Sequence, residues 1–201
     1  IIAYLEALGV KSVIISQVLE FDDASSKGVV NFTKVDGEYG EQSEFTDLVS
    51  RFMEKGMKVI LQFIPNHSSI QHHWFKDKTV RDSYYVMISA LNGSSWASHI
   101  TPKDIGSAWT EMPFNEDVMY LHQFTTGEPD LNYRNPSLIK EINGALQFWY
   151  SLGVDGFLLS EVSYLVEDLN KLNDQNAMLN HPDNAHVVKK ILDSSGWSFN
   201  G

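Results

Sequence analysis

The sequence contains no cysteine. Disulfides, thiolate metal sites and cysteine nucleophiles are excluded, and the redox compartment cannot be read. Basic residues are scarce: 15 Lys and Arg stand against 26 Asp and Glu, a formal net charge of −11. That balance argues against nucleic acid as a partner, because neutralising phosphates needs a basic surface. No apolar run approaches the roughly 18 to 20 residues of a membrane span. The chain opens Ile1-Ile2-Ala3-Tyr4, without methionine, basic n-region or cleavage site. It reads as a piece of a longer protein, so the absence of a targeting signal in it means little. Neither H-E-x-x-H, a phosphate-cradling glycine loop nor a G-x-S-x-G elbow occurs.

What is present is an ordinary globular composition: 201 residues, 43% hydrophobic and 20% charged. Length predicts one domain with room for an insertion. Ile1, Tyr4, Leu5 and Leu8 fall at helical spacing before Gly9. Ser12 to Ser16 is a β-rich run, and residues 20–43 read as a long polar loop. Phe45, Leu48, Val49, Phe52 and Met53 form an amphipathic stripe, with Ser43 as its expected cap and Gly56 as its stop. Met57 to Ile64 is a second apolar run, ended by Pro65. From 68 to about 133 aromatics and small polar residues mix without a period, including Trp96. Asn135-Pro136 then opens a helix with Leu138, Ile142, Ala145, Leu146 and Trp149 on one face. Val154 to Val162 is a third strand, and the tail from 163 is partly helical.

Continuous apolar strands separated by amphipathic helices imply a parallel sheet covered by helices. A (β/α)₈ barrel uses roughly 30 residues per unit. The strands near 58 and 155 lie almost 100 residues apart. The excess predicts a small inserted domain between a strand and its helix. The expected architecture is α/β: a partial TIM barrel of about three strands, with 1–67 its first part, 68–133 the insertion and 134–201 the continuation.

Asn66 and His67 follow a strand end, where barrel loops build active sites. His67 could hydrogen-bond a ligand hydroxyl there, or be a satisfied core histidine. His72-His73 lacks partners at metal spacing and reads as a solvated loop. The insertion's aromatics could stack on sugar rings or form a small core.

In order, these pieces resemble the α-amylase family of glycoside hydrolases, in its α-glucosidase branch. Phe63-Ile64-Pro65-Asn66-His67-Ser68-Ser69 resembles the first family signature. His73-Trp74-Phe75, Gly106-Ser107-Ala108-Trp109-Thr110 and Tyr120-Leu121-His122-Gln123-Phe124 resemble the inserted domain. Glu128-Pro129-Asp130-Leu131-Asn132-Tyr133 resembles the motif after it, and Gly153-Val154-Asp155-Gly156-Phe157 the approach to the nucleophile strand. The resemblance makes these strands about the second to fourth of the barrel. It assigns the nucleophile position to Ser160, the preceding arginine position to Leu158 and the first signature's aspartate position to Gln62. Asn66 and His67 keep the substrate-binding pattern, and Glu128 stands where the branch has glutamine.

Retaining glycosidases need two carboxyls about 5 to 5.5 Å apart. A serine hydroxyl is not ionised near neutral pH, and leucine cannot hold a carboxylate ionised as arginine does. Glu161, one residue on, should face the other side of the strand. No catalytic residue is therefore expected in this segment. The resemblance then implies a degenerate relative such as the heavy chain of a heteromeric amino-acid transporter. Such a subunit is a single-span glycoprotein partnering a polytopic light chain at the extracellular face of the plasma membrane. The alternatives are an α-glucosidase acting on α-glucosides and a secreted inactive homologue. Asn31 and Asn92 are candidate glycan acceptors. No cofactor and no tight calcium site are expected, since calcium wants 6 to 8 oxygens, usually several from carboxylates.

Overall fold

The computed structural model describes residues 1–22, 28–89, 107–113, 115–169 and 178–193. Asn92 and Trp96 lie outside the described residues. Three parallel strands form the principal sheet: β1 (Ser12–Ile15), β4 (Lys58–Phe63) and β8 (Gly156–Leu159), in the order β1-β4-β8. They are part of a (β/α)₈ barrel that these strands do not close. Among the described residues, helices α1 (Ile2–Ala7), α2 (Gln42–Glu54), α5 (Pro136–Ser151) and α6 (Asp183–Asp193) accompany the sheet. Two short helices, α3 (His73–Lys76) and α4 (Lys78–Tyr84), follow β4.

The pleat sorts β4 into two faces. Val59, Leu61 and Phe63 are fully buried, while Ile60, Gln62 and Ile64 are half-buried. Burial on both faces of a parallel strand normally comes from helices outside and further strands inside. Here the inner face is open. Register places Ile14 beside Ile60, and Gln62 beside Leu158. Ile14 is 59% exposed and Leu158 44%. We expect residues 1–201 expressed alone to bind a hydrophobic dye and to melt without a cooperative transition. A sharp thermal transition from a monomer of this length would overturn that.

The helix signals act as the spacing predicts, with one shift. Asn135 caps α5, its Oδ1 accepting from Ser137 N at 2.9 Å, with proline at the first turn. Helix α2 starts earlier than Ser43: Glu41 is its N-cap, and Glu44 reaches back to the Glu41 N–H at 2.8 Å. Gly153 has φ +95°, a left-handed turn that releases the chain from α5 into β8.

The stretch read as a loop over 20–43 is instead mostly a hairpin. Strand β2 (Leu19–Phe21) pairs antiparallel with β3 (Val29–Val35). Polar residues hide the strand pattern: Asn31, Thr33 and Lys34 face outward while Phe32 and Val35 are buried. Gly28 lets the hairpin touch the strand-end loop, for a Cβ there would lie 2.8 Å from the Ser69 backbone.

The segment between β4 and α5 carries its own antiparallel sheet, β5 (Met87–Ser89), β6 (Trp109–Met112) and β7 (Asn115–Leu121), ordered β5-β7-β6. It is richer in strand than its sequence suggests. His72 is not in a solvated loop. It is 1% exposed, and its Nδ1 accepts from Trp74 N at 3.1 Å as the cap of α3. The third strand is shorter than Val154–Val162: it ends at Leu159, and Glu161 turns left-handed with φ 59°.

Candidate functional site

The site gathers at the C-terminal ends of β4 and β8. Leu158 and Ser160 are two residues apart on an extended run and so share the inner face. Ser160 N continues the ladder to Phe63 O at 3.0 Å. Across the strands, Gln62 Nε2 donates to Ser160 Oγ at 3.0 Å. Positions 62, 158 and 160 thus present an amide, an alkyl group and a hydroxyl. The amide and hydroxyl satisfy each other. That bond was not legible in the sequence, where the two residues are far apart and each unremarkable.

Beside this face lies a cavity of about 50 Å³ lined by Gln17, Leu19, Phe21, Val29, Gln62 and Ile64. The hairpin supplies three of its walls. Gln17, two residues past the end of β1, is held left-handed with φ 54°.

Asn66 and His67 leave β4 into the interior of the loops. Asn66 is 1% exposed and His67 5%. Leu131 N donates to Asn66 O at 2.9 Å, and His67 forms an isolated bridge with Asp130, so the first motif is stitched to the post-insertion motif. Phe124 lies 4.8 Å from the His67 ring, centre to centre. Burial pushes His67 down to about 4, leaving the imidazole neutral at physiological pH. Its Nε2 is 3.7 Å from Glu128 Oε1, too long for a hydrogen bond, and with the imidazole neutral the contact is not an ion pair. Glu128 instead accepts from Thr125 Oγ1 at 2.8 Å.

Asp155 acts at the other end of the sheet. Its carboxylate accepts from Val59 N at 2.9 Å and from Lys58 Nζ at 2.6 Å. It fixes the register of β8 on β4 and does not enter the site. Asn31 lies on β3 and accepts from Thr33 N at 2.9 Å and Thr33 Oγ1 at 3.0 Å. Among the described residues, no group of three or more His, Cys, Asp or Glu is arranged to hold a metal.

Buried histidines set a pH response. Burial lowers His67 to about 4, His72 to about 3 and His122 to about 4. The unfolded chain protonates these side chains below about 6.5, the folded one does not until nearer 4. Stability present above pH 6.5 is therefore lost as pH falls, for His67 on the order of 3 kcal/mol at full effect. Burial raises the carboxyls of Asp130 and Glu167, the latter to about 7, and these act oppositely: the contribution of Glu167 is lost as pH rises to 7, and Asp130 acts in the same direction. Three groups oppose two below pH 6.5, and only the carboxyls act above it. Chemical denaturation should give maximal stability near pH 6.5; a maximum above about pH 8 would contradict this.

Comparison with known proteins agrees with the geometry. The sequence profile of the α-amylase catalytic domain matches residues 1–195. An α-glucosidase of Culex pipiens is 40% identical over 144 residues, covering 70% of this chain and 25% of the relative. Amino acid transporter heavy chain SLC3A1 of Homo sapiens is 36% identical over 178 residues, covering 82% of this chain and 25% of the relative. The chain thus spans about a quarter of these curated relatives. The crystal structure of Bacillus licheniformis trehalose-6-phosphate hydrolase superposes with a TM-score of 0.85 at 23% identity, over 94% of this chain and 36% of that one.

Proposed function

This chain belongs to the α-amylase family, and on that premise we propose that it is a non-catalytic α-glucosidase-like segment of a transporter heavy chain. The observation that carries the reading is the uncharged set Gln62, Leu158 and Ser160, with Gln62 and Ser160 closed on each other at 3.0 Å. Retaining hydrolysis needs an anionic nucleophile opposite an acid, and this face offers neither the anion nor the arginine that would keep it ionised. The proposed division is barrel over 1–67, insertion over 68–133 and barrel again over 134–201. The proposed partner is a polytopic light chain, and the proposed location is the extracellular face of the plasma membrane, with Asn31 and Asn92 as glycan acceptors. No cofactor is invoked.

Likeness to heavy chains and to α-glucosidases is comparable, so hydrolysis of α-glucosides is the second reading. The 40% identity with an α-glucosidase favours it. Release of glucose from maltose by the purified natural protein separates the two. A single apolar span of about 20 residues ahead of Ile1, with a basic flank, would support the heavy chain. A cleavable signal peptide there would sink the membrane-anchored reading.

A further inference from the structure

The recess beside Gln62 is uncharged. Four apolar side chains, Leu19, Phe21, Val29 and Ile64, wall it, and two carboxamides, Gln17 and Gln62, edge it. Among the described residues no Asp, Glu, Lys, Arg or His lines it. A charged group entering would lose water and meet no counter-charge, which is strongly unfavourable. The chemistry of the walls therefore selects a neutral ligand. Size narrows the choice further. A dry cavity of about 150 Å³ holds a benzene ring. This recess measures about 50 Å³. It takes a group of about three or four carbons, such as isopropyl, and not a hexose ring.

Gln17 adds a polar requirement. Its φ of 54° lies in the left-handed region, where glycine is at ease and a residue with a side chain is not. A glycine would make the same bend out of β1 with less strain. Glutamine brings a carboxamide to the edge of the recess, and among the described residues that carboxamide has no hydrogen-bond partner. An observed backbone outlier of this kind points to a side chain held for use. Gln62 Nε2 donates to Ser160 Oγ at 3.0 Å, which leaves the Gln62 carbonyl oxygen as an acceptor. The edge thus offers a donor and an acceptor on Gln17 and a further acceptor on Gln62. An amide answers a carboxamide with two hydrogen bonds at once, through separate N–H and C=O groups, whereas a hydroxyl has one oxygen for both tasks.

We propose that this recess is a binding site for an uncharged, branched aliphatic amide. The aliphatic group enters between Leu19, Phe21, Val29 and Ile64, and the amide pairs with Gln17 at the edge. Such a group comes as a free small amide or as a valine-sized residue within a peptide. The inference does not depend on whether the protein is a heavy chain or a glucosidase, and binding rather than turnover tests it.

The test is made on the natural full-length protein in solution. Isobutyramide, followed by ligand-observed NMR, should bind with a Kd on the order of 1 to 10 mM, as suits so small a ligand. Isobutyrate and isopropylammonium keep the aliphatic group but carry a charge, and should bind at least about tenfold more weakly. Glucose should not displace the amide. Gln17→Gly removes the carboxamide and suits the left-handed backbone. That variant should fold as stably as wild type and bind isobutyramide about three- to tenfold more weakly. Val29→Phe fills the recess and should abolish binding; if it fails to fold, the Gln17→Gly comparison still decides. N-acetylvaline methylamide binding more tightly than isobutyramide upholds the site and assigns it to a peptide, and the reverse order upholds it and assigns it to a small amide. Isobutyramide that does not bind overturns the proposal. So does equal binding of isobutyrate, displacement by glucose, or binding unchanged in Gln17→Gly or in a folded Val29→Phe.

Discussion

Purified full-length protein should turn over maltose or an aryl α-glucoside at well under about 1 per second, below the usual enzyme range. On the proposed reading, Ser160 stands where the chemistry needs a carboxylate able to form and release a glycosyl ester. Its hydroxyl is hydrogen-bonded to Gln62 at 3.0 Å, and the described residues place no histidine against it as a base. Loss of a catalytic nucleophile costs about 10⁶ in turnover in a well-studied hydrolase, roughly 8 kcal/mol of transition-state stabilisation. Ser160→Asp alone should restore little. Leu158, 44% exposed on the same face, supplies no cation, and the new carboxylate would be left with the Gln62 amide. Leu158→Arg combined with Ser160→Asp is the fairer trial. Any gain should appear only in the pair, since the arginine has nothing to hold without the acid. Wild-type turnover above about 1 per second would sink the non-catalytic reading and promote the glucosidase one.

Much of this was legible in the sequence. The stripe Phe45, Leu48, Val49, Phe52 and the signals Asn135-Pro136 and Gly153 gave two helices and their ends, because local rules decide them. The apolar run of β4 announced a strand buried by helices. The hairpin escaped because β3 alternates one buried side against several polar residues, and its partner β2 has only three residues. His72 escaped because a capping role depends on the backbone two residues on. That 62, 158 and 160 carry an amide, an alkyl group and a hydroxyl was readable position by position. The hydrogen bond between two of these distant strand residues was not. The bonds from Gln123 to Asp130 and Tyr164, and from Arg134 to Glu167, lay further out of reach, for they draw on three stretches brought together only by folding.

Trp149→Ala should destabilise the full-length protein by about 3 to 5 kcal/mol, the range for truncating a buried aromatic. Trp149 is wholly buried on the inner face of α5. Its ring meets Phe45 of α2 edge-on at 5.1 Å, and Phe148 at 5.3 Å. Its Nε1 donates to Phe32 O on β3 at 2.7 Å. One side chain thus ties two helices to the hairpin. Alanine opens a cavity that close-packed neighbours fill only partly, and it leaves the Phe32 carbonyl without its donor. Trp149→Phe separates the two losses. It keeps most of the ring contact but not the N–H, so it should cost about 1 to 3 kcal/mol. Lys140→Ala, exposed on the opposite side of the same helix, should stay within about 0.5 kcal/mol of wild type. Urea denaturation of the three variants gives the order directly. If Trp149→Ala lies within about 1 kcal/mol of Lys140→Ala, the hairpin is not anchored through this residue, and the junction of α2, α5 and β3 must draw its stability from the surrounding aliphatic contacts.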